Sequence, residues 1–465
     1  MANSKSLALT DLKAPTWPTS IDGETLLDRS LIWATSIWTI EPVKNSPILI
    51  LMRLGISSTS LFLGACLAGL FPIIIKPTTP VKLIIEAVRK SSCALVAVPA
   101  AWSSELSLHG FSCVCRKEDF VIMRSPHASL PHPDVNGAHL VGIHSSGSTG
   151  APNVAVHTLD RIINNAAMHA NSINLSPDDT VALTLPLSFS AGLVAGLMST
   201  LLSEAKGIFV DTQKINAHAI LDSAPVSICM GTPATISSLY TDIALKKARI
   251  VTVGGDVMNY RLARNLIDRC GRDTKIFSTY GMTEAGPRIC ISPVTAERLD
   301  YYQAVPLGST LEGVELRIKT FDNQADLGEL YVTTPTAMFG YLHSAHGTAS
   351  SQRRSFGEIR TGDIFRKVSD ELIFSGRSSR LIVRGGENIS PILIESAIIQ
   401  NFDFEDVWVT AEHDELLGQV PKAYVTGTQP INVRALTKTL RQHLPTSHIP
   451  VIWEITEKIP DHAKK

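Results

Sequence analysis

Residues 144–158 read HSSGSTGAPNVAVHT, a run rich in serine, threonine and glycine. A loop of this kind turns sharply and aims backbone N–H groups and hydroxyls together, the donor set that phosphate oxygens accept. Ser145, Ser146, Gly147, Ser148, Thr149 and Gly150 are therefore candidate phosphate-binding residues. The pattern G-x-x-x-x-G-K-[ST] is absent, and Asn153 stands where such loops usually carry a lysine. Ordinary surface loops share this composition, so the rest of the chain has to decide.

Six further segments follow in order: TLPLSFSAGL (184–193), VGGDVMNYRLARNL (253–266), STYGMTEAG (278–286), GELYVTTPTAMFGYL (328–342), RTGDIF (360–365) and SGRSSRLIVRGGENISPILIE (375–395). With the loop, the series resembles the adenylate-forming superfamily of acyl- and aryl-CoA synthetases, nonribosomal-peptide adenylation domains and luciferases, over about residues 45–460. The resemblance implies that a carboxylate attacks the α-phosphate of ATP, giving an acyl-AMP and pyrophosphate, and that a nucleophile, usually a thiol, then displaces AMP. It implies ATP and Mg²⁺ as cofactors and a small carboxylic acid as substrate. The acceptor that the resemblance implies is CoA or the pantetheine of an acyl carrier protein, with an amine as the alternative.

The residue types suit the implied roles. Tyr280 offers a flat face to adenine, Thr283 a hydroxyl to the α-phosphate, and Glu284 a hard oxygen ligand to Mg²⁺. Gly255 and Gly281 belong to the nucleotide segments, and Gly281 also to the acyl pocket with Phe189 and Ser190. Asp363 can accept from two ribose hydroxyls, as carboxylates do in other nucleotide folds, with Arg377 beside it. Competing structural readings are a buried strand-end tyrosine at 280, a type I turn at Thr361–Asp363, a solvated hinge arginine at 377 and a core phenylalanine at 189. RGGENISP resembles the loop that forms a pantetheine tunnel, where Gly385 and Gly386 permit close backbone approach.

Three departures from the family pattern stand out. Asn153 replaces the loop lysine, a loss worth up to about 10²–10³ in rate by analogy with one oxyanion-hole donor. Ser379 occupies the hinge position usually held by aspartate or lysine, and serine can absorb the φ/ψ change. The chain closes on KIPDHAKK, where Lys465, or else Lys464, corresponds to the lysine that stabilises charge during adenylation. No acidic residue lies between Leu185 and Gly192 to pair with an α-ammonium group. An α-amino acid is therefore not the expected substrate, because a buried unpaired ammonium is costly. The leading reading is an ATP-dependent acid–thiol ligase, and the departures motivate an alternative of another class, a non-catalytic nucleotide-binding protein.

The elements that must position these residues are legible as alternation. From about residue 45 to 255, apolar runs such as SPILIL, CALVAVP and TVALTLPL alternate with helical patterns such as VKLIIEAVRK, which makes parallel sheets covered by helices, and the α/β part is expected to reach about residue 305. Close-spaced strands from about 305 to 378 suit a small β subdomain, and 379–465 a small α+β lid. The expected fold is thus an α/β N-terminal domain, residues 1–378, capped by a mobile C-terminal domain. With 42 basic and 43 acidic side chains in 465 residues there is no electrostatic footprint for nucleic acid. The seven cysteines form no C-x-x-C pair and read as reduced thiols. Uncharged residues 54–75 are interrupted by Ser57–Ser60 and Pro72, which predicts a buried helix at 58–69 and a strand at 72–76 rather than a membrane span. The N-terminus lacks secretory-signal features, so the cytoplasm is the expected location.

Overall fold

The structure, a computed structural model, describes residues 7–11, 19–41, 43–127, 138–145, 153–213, 216–322, 324–342, 358–427 and 432–459. Its first sheet has eight strands. At its centre Leu140–Ser145, Phe71–Ile75, Pro47–Leu51 and Leu95–Pro99 run in parallel. Phe71–Ile75, Pro47–Leu51 and Leu95–Pro99 read as continuous apolar runs because both faces of the sheet are covered, so alternation with polar residues would bury unpaired groups. A nine-stranded sheet carries the parallel set Lys206–Phe209, Thr180–Leu183, Ile228–Gly231, Ile250–Gly254 and Lys275–Tyr280. Its far edge is completed from the N-terminus by Ala8–Asp11 and Thr19–Asp22, which sequence patterning missed.

One apolar core joins the inner faces of both sheets, with Ile48 and Ile50 from the first, Val181 and Ile228 from the second, and Trp33 and Phe62 from helices between them. The predicted buried helix spans Ile56–Leu67 and the strand Phe71–Ile75. Ser57, Ser58, Thr59 and Ser60 are all buried, and Thr59 and Ser60 return their hydroxyls to the helix's own carbonyls at 3.0 and 3.1 Å. Those bonds let hydroxyl residues sit in the core without orphaned donors. Among the described residues no helix is long and apolar enough to cross a membrane.

A four-stranded antiparallel sheet follows, in the order Glu315–Phe321, Gln324–Thr333, Ile359–Val368, Glu371–Arg377. The C-terminal part has its own core around Ile382, Ile394, Val409 and Leu440, beneath a sheet in which Ile452–Thr456 runs parallel to Gly418–Thr426. The architecture is therefore a large α/β N-terminal domain with a smaller C-terminal one.

The central helix pair depends on a close approach at Gly64. A Cβ there would lie 2.5 Å from the Cβ of Trp33 and 2.7 Å from the carbonyl oxygen of Ser30. Gly64→Ala is expected to lower stability by about 1–3 kcal/mol through overpacking; a melting transition identical to wild type would show that the helices separate freely.

Candidate active site

The carboxyl ends of parallel strands leave their next residues exposed at a crevice, where open α/β sheets bind ligands. Here Ile250–Gly254 delivers Gly255 and Asp256, and Lys275–Tyr280 delivers Tyr280 and Gly281, to a cavity of about 250 Å³. Gly255 takes φ +83°, open to glycine at little cost. At Gly281 any side chain is excluded, since a Cβ would stand 1.6 Å from the carbonyl oxygen of Pro287. Asp363 and Arg377 close the cavity from the four-stranded sheet.

Asp363 lies within the strand Ile359–Val368 and is 3% exposed, so the turn reading of TGD does not hold. The Tyr280 hydroxyl donates to its Oδ2 at 2.6 Å, and Arg377 Nε meets its Oδ1 at 2.6 Å. Burial pushes the Asp363 carboxyl above its ordinary range, against the pull of Arg377 and Tyr280. Burial and the neighbouring carboxylate likewise hold the Tyr280 phenol well above its usual value, so it stays a donor. A carboxylate has about four acceptor positions, so two remain for a ligand's hydroxyls. Phe365 packs its ring edge to face on Tyr280, centroids 5.5 Å apart, fixing the tyrosine plane.

Three residues beyond Tyr280, Thr283 and Glu284 begin a short 3₁₀ turn. The Ser190 and Thr283 hydroxyl oxygens are 2.9 Å apart, while the Thr283 carbonyl accepts from His157 Nε2 at 2.9 Å. Tyr341 donates its hydroxyl to Glu284 Oε1 at 2.6 Å. The turn is clamped from behind. Asn165 accepts from Arg288 N and donates to Arg288 O, both at 2.9 Å, and Thr336 donates to the Ala285 carbonyl at 2.7 Å. Thr336 and Tyr341 lie in the motif segment 328–342, but their contacts with the turn, like that of Asn165, left no signal in the sequence, because each reaches the turn from a distant segment.

Phe189 is 40% exposed and so is no core residue; the Lys76 ammonium stands 4.8 Å from its ring centroid. Gly192 permits this local geometry, since a Cβ there would lie 2.3 Å from the Pro186 carbonyl oxygen. Gly385 and Gly386 form the two-residue turn between Ile382–Arg384 and Glu387–Ile389, with φ +55° and +84°. Two positive φ values of this kind explain the glycine pair by hairpin geometry alone, and neither residue lines the cavity. Ser379 lies in the turn Ser378–Arg380. Its neighbour Arg380 lines the cavity, donates to Glu395 at 2.8 Å and stacks over Trp408 at 3.6 Å. Ser145 ends the strand Leu140–Ser145. Ser146, Gly147, Ser148, Thr149 and Gly150 lie outside the described residues, as do Lys464 and Lys465.

Comparison with known proteins matches residues 41–342 to the family model "AMP-binding enzyme" and residues 393–464 to "AMP-binding enzyme C-terminal domain". A 2-succinylbenzoate–CoA ligase of Geobacillus sp. (strain WCH70) is 26% identical over 337 residues, covering 70% of this chain but 66% of that protein. The 4-coumarate–CoA ligase 1 of Solanum tuberosum is 25% identical over 398 residues, or 78% of this chain and 72% of its own. ATP-bound MatB from Rhodopseudomonas palustris superposes with a TM-score of 0.81 at 17% identity, covering 99% of this chain and 93% of that one. MenE from Bacillus subtilis in complex with ATP and magnesium gives 0.76 at 18% identity, covering 97% and 93%.

Two tests follow from this geometry. Asp363→Ala is expected to weaken AMP and ATP binding together by about ten- to a hundredfold, the loss of a charged acceptor, and to leave pyrophosphate affinity nearly unchanged; unaltered AMP affinity on titration would remove the carboxylate from the nucleotide site. The second concerns pH. Burial pushes His157 and His144 down from 6.5 to about 4, so the unfolded chain binds more protons between those values. Stability is fully present above pH 6.5 and falls as pH drops towards 4. His157→Gln should flatten part of that slope in denaturant titrations at pH 7 and 5, and an unchanged slope would contradict a neutral buried imidazole.

Proposed function

The chain belongs to the AMP-binding enzyme family, and on that premise we propose that it activates a carboxylic acid with ATP and passes the acyl group to the thiol of CoA. The observation that carries this reading is the buried Asp363, held by Tyr280 and Arg377 at a cavity that the strand-end residues Gly255 and Gly281 also line. In the first step a substrate carboxylate oxygen bonds to the α-phosphorus. The bond to the bridging oxygen breaks, and pyrophosphate leaves with its electron pair. In the second step the thiol sulfur bonds to the acyl carbon, AMP departs, and the thiol proton is released.

Each residue has a physical task in this reading. Asp363 accepts from the ribose diol, the fixed Tyr280 ring lies against adenine, and Arg377 offsets charge at the ribose side. Thr283, aligned by Ser190 and His157, presents its hydroxyl to the α-phosphate. Glu284 is a hard oxygen donor of the kind that magnesium takes. Its Oε1 is steadied by Tyr341, which leaves Oε2 for a metal. Bound there, magnesium would neutralise phosphate charge as the pyrophosphate departs. Phe189 and Ser190 border the acyl side, and no carboxylate among residues 185–192 is available to an α-ammonium group. CoA as acceptor draws support from the two ligases named above. Rotation about Ser379, a contribution from Lys465 and a thiol path past Gly385 and Gly386 rest on the family resemblance.

The experiment is ATP–pyrophosphate exchange across a panel of aryl, alkyl and dicarboxylic acids, followed by product mass with CoA and amino acids supplied together. Acid-dependent exchange and a thioester product are expected. Silence with every acid from folded protein would overturn the ligase reading in favour of a non-catalytic nucleotide binder, and an amide product would move the acceptor from thiol to amine.

A further inference from the structure

The triphosphate of ATP carries several negative charges, and the described cations around the site are already engaged. Arg377 is paired with Asp363, Arg161 Nη1 donates to the Ala337 carbonyl at 2.6 Å, and Arg288 is buried. Lys76 differs. It is exposed at the carboxyl end of the strand Phe71–Ile75 and has no carboxylate partner among the described residues. Its ammonium is held over Phe189 at 4.8 Å, an attraction that orients a cation without neutralising it. Ser190, the next residue after Phe189, is the one in contact with Thr283.

Strand register places Lys76 relative to Asn153. Ile73 and Ile74 pair in parallel with Gly142 and Ile143, and that register carried two residues further sets Lys76 level with Ser145. Ser145 in turn pairs with Asn153 across the hairpin. Positions 76, 145 and 153 therefore form one row over three adjacent strands, with 76 and 153 about 10 Å apart at two inter-strand spacings. Residues facing each other in register project to the same side of a sheet, and a lysine's four-carbon stem is long and flexible enough to cross much of that gap. The partly buried His144, at the end of the middle strand, is held neutral by burial first and by the charge of Lys76 second.

From this row we propose that Lys76 supplies the cationic contact to the β- and γ-phosphates of ATP that the uncharged Asn153 does not, the charge having moved two strands across the sheet. The inference rests on the ATP reading above. It gives Lys76 a role in binding pyrophosphate and triphosphate, with Phe189 as its support, and makes no demand on the acid substrate.

The test is calorimetric titration of Mg²⁺–ATP, inorganic pyrophosphate and AMP into the full chain, which needs no knowledge of the acid. Lys76→Met is expected to weaken ATP and pyrophosphate about ten- to a hundredfold and to leave AMP unchanged. Lys76→Arg should keep most of the affinity, and adding Asn153→Lys to Lys76→Met should restore it. Equal ATP affinity in wild type and Lys76→Met, with AMP bound by both, overturns the inference alone. So does an equal loss of AMP and ATP affinity, which would assign the effect to the nucleoside side of the site. Binding of neither nucleotide by folded wild type overturns the nucleotide reading and this inference with it.

Discussion

The buried carboxylate of Asp363 is the constraint on which the rest of the site depends. A lone ionised carboxylate at 3% exposure would be strongly disfavoured, so its position is tenable only with donors fixed around it. The fold supplies them through backbone register: Asp363 and Arg377 are direct cross-strand partners in the four-stranded sheet. Tyr280 comes from the end of the nine-stranded sheet and is fixed by Phe365, two residues along from Asp363. Removing one partner would leave an uncompensated buried charge, which is costlier than never forming the pair. The two sheets are thereby held at one spacing, and that spacing is the cavity.

The Thr283–Ala285 turn is governed by the complementary rule that backbone polar groups removed from water must be paired. The carbonyls of Thr283, Glu284 and Ala285 accept in turn from His157, Met338 N and Thr336. Three successive carbonyls tied to two separate segments, the strand Asn153–Thr158 and the stretch 336–338, leave the turn little freedom, so the side chains of Thr283 and Glu284 start from a fixed backbone. Tyr341 reaches Glu284 because Gly340–Tyr341 adds an edge strand to the eight-stranded sheet, opposite Val156 and Ala155. A carboxylate oriented by such a hydrogen bond keeps less side-chain freedom than a solvated one.

Much of this was legible in the sequence where the candidate site is concentrated in short segments. YGMTE, TGD and SGR each bring residues to the one cavity within a few positions, and the parallel strands announce themselves as apolar runs. What escaped the sequence is set by long-range contact. Asn165 clamps Arg288 from 123 residues away, and Tyr341 meets Glu284 across 57. Neither pairing leaves a local pattern. The π-helical run Ala191–Met198 is equally silent in composition. Gly385 and Gly386 show the opposite hazard, since a local backbone need, two adjacent positive φ angles, accounts for glycines that motif reasoning assigns to a ligand path.

The attachment of the C-terminal part has a different character from the core contacts. Arg261, itself exposed, donates to the backbone carbonyls of Phe402 and Phe404 at 2.6 and 3.2 Å, and Gln400 donates to the Gln303 carbonyl at 2.9 Å. Such bonds exchange for water at a net cost of about 0.5–3 kcal/mol each. The joint itself is anchored on both sides: Arg377 belongs to the Asp363 cluster, while Arg380 is fastened to Glu395 and Trp408 within the C-terminal core. Only Ser378 and Ser379 lie between these anchors. A rotation of the kind the family resemblance implies would therefore be absorbed by two small residues, with the Asp363 cluster staying on one side and Arg380 leaving the cavity on the other. Serine at 379 suits that task because neither anchor needs its side chain.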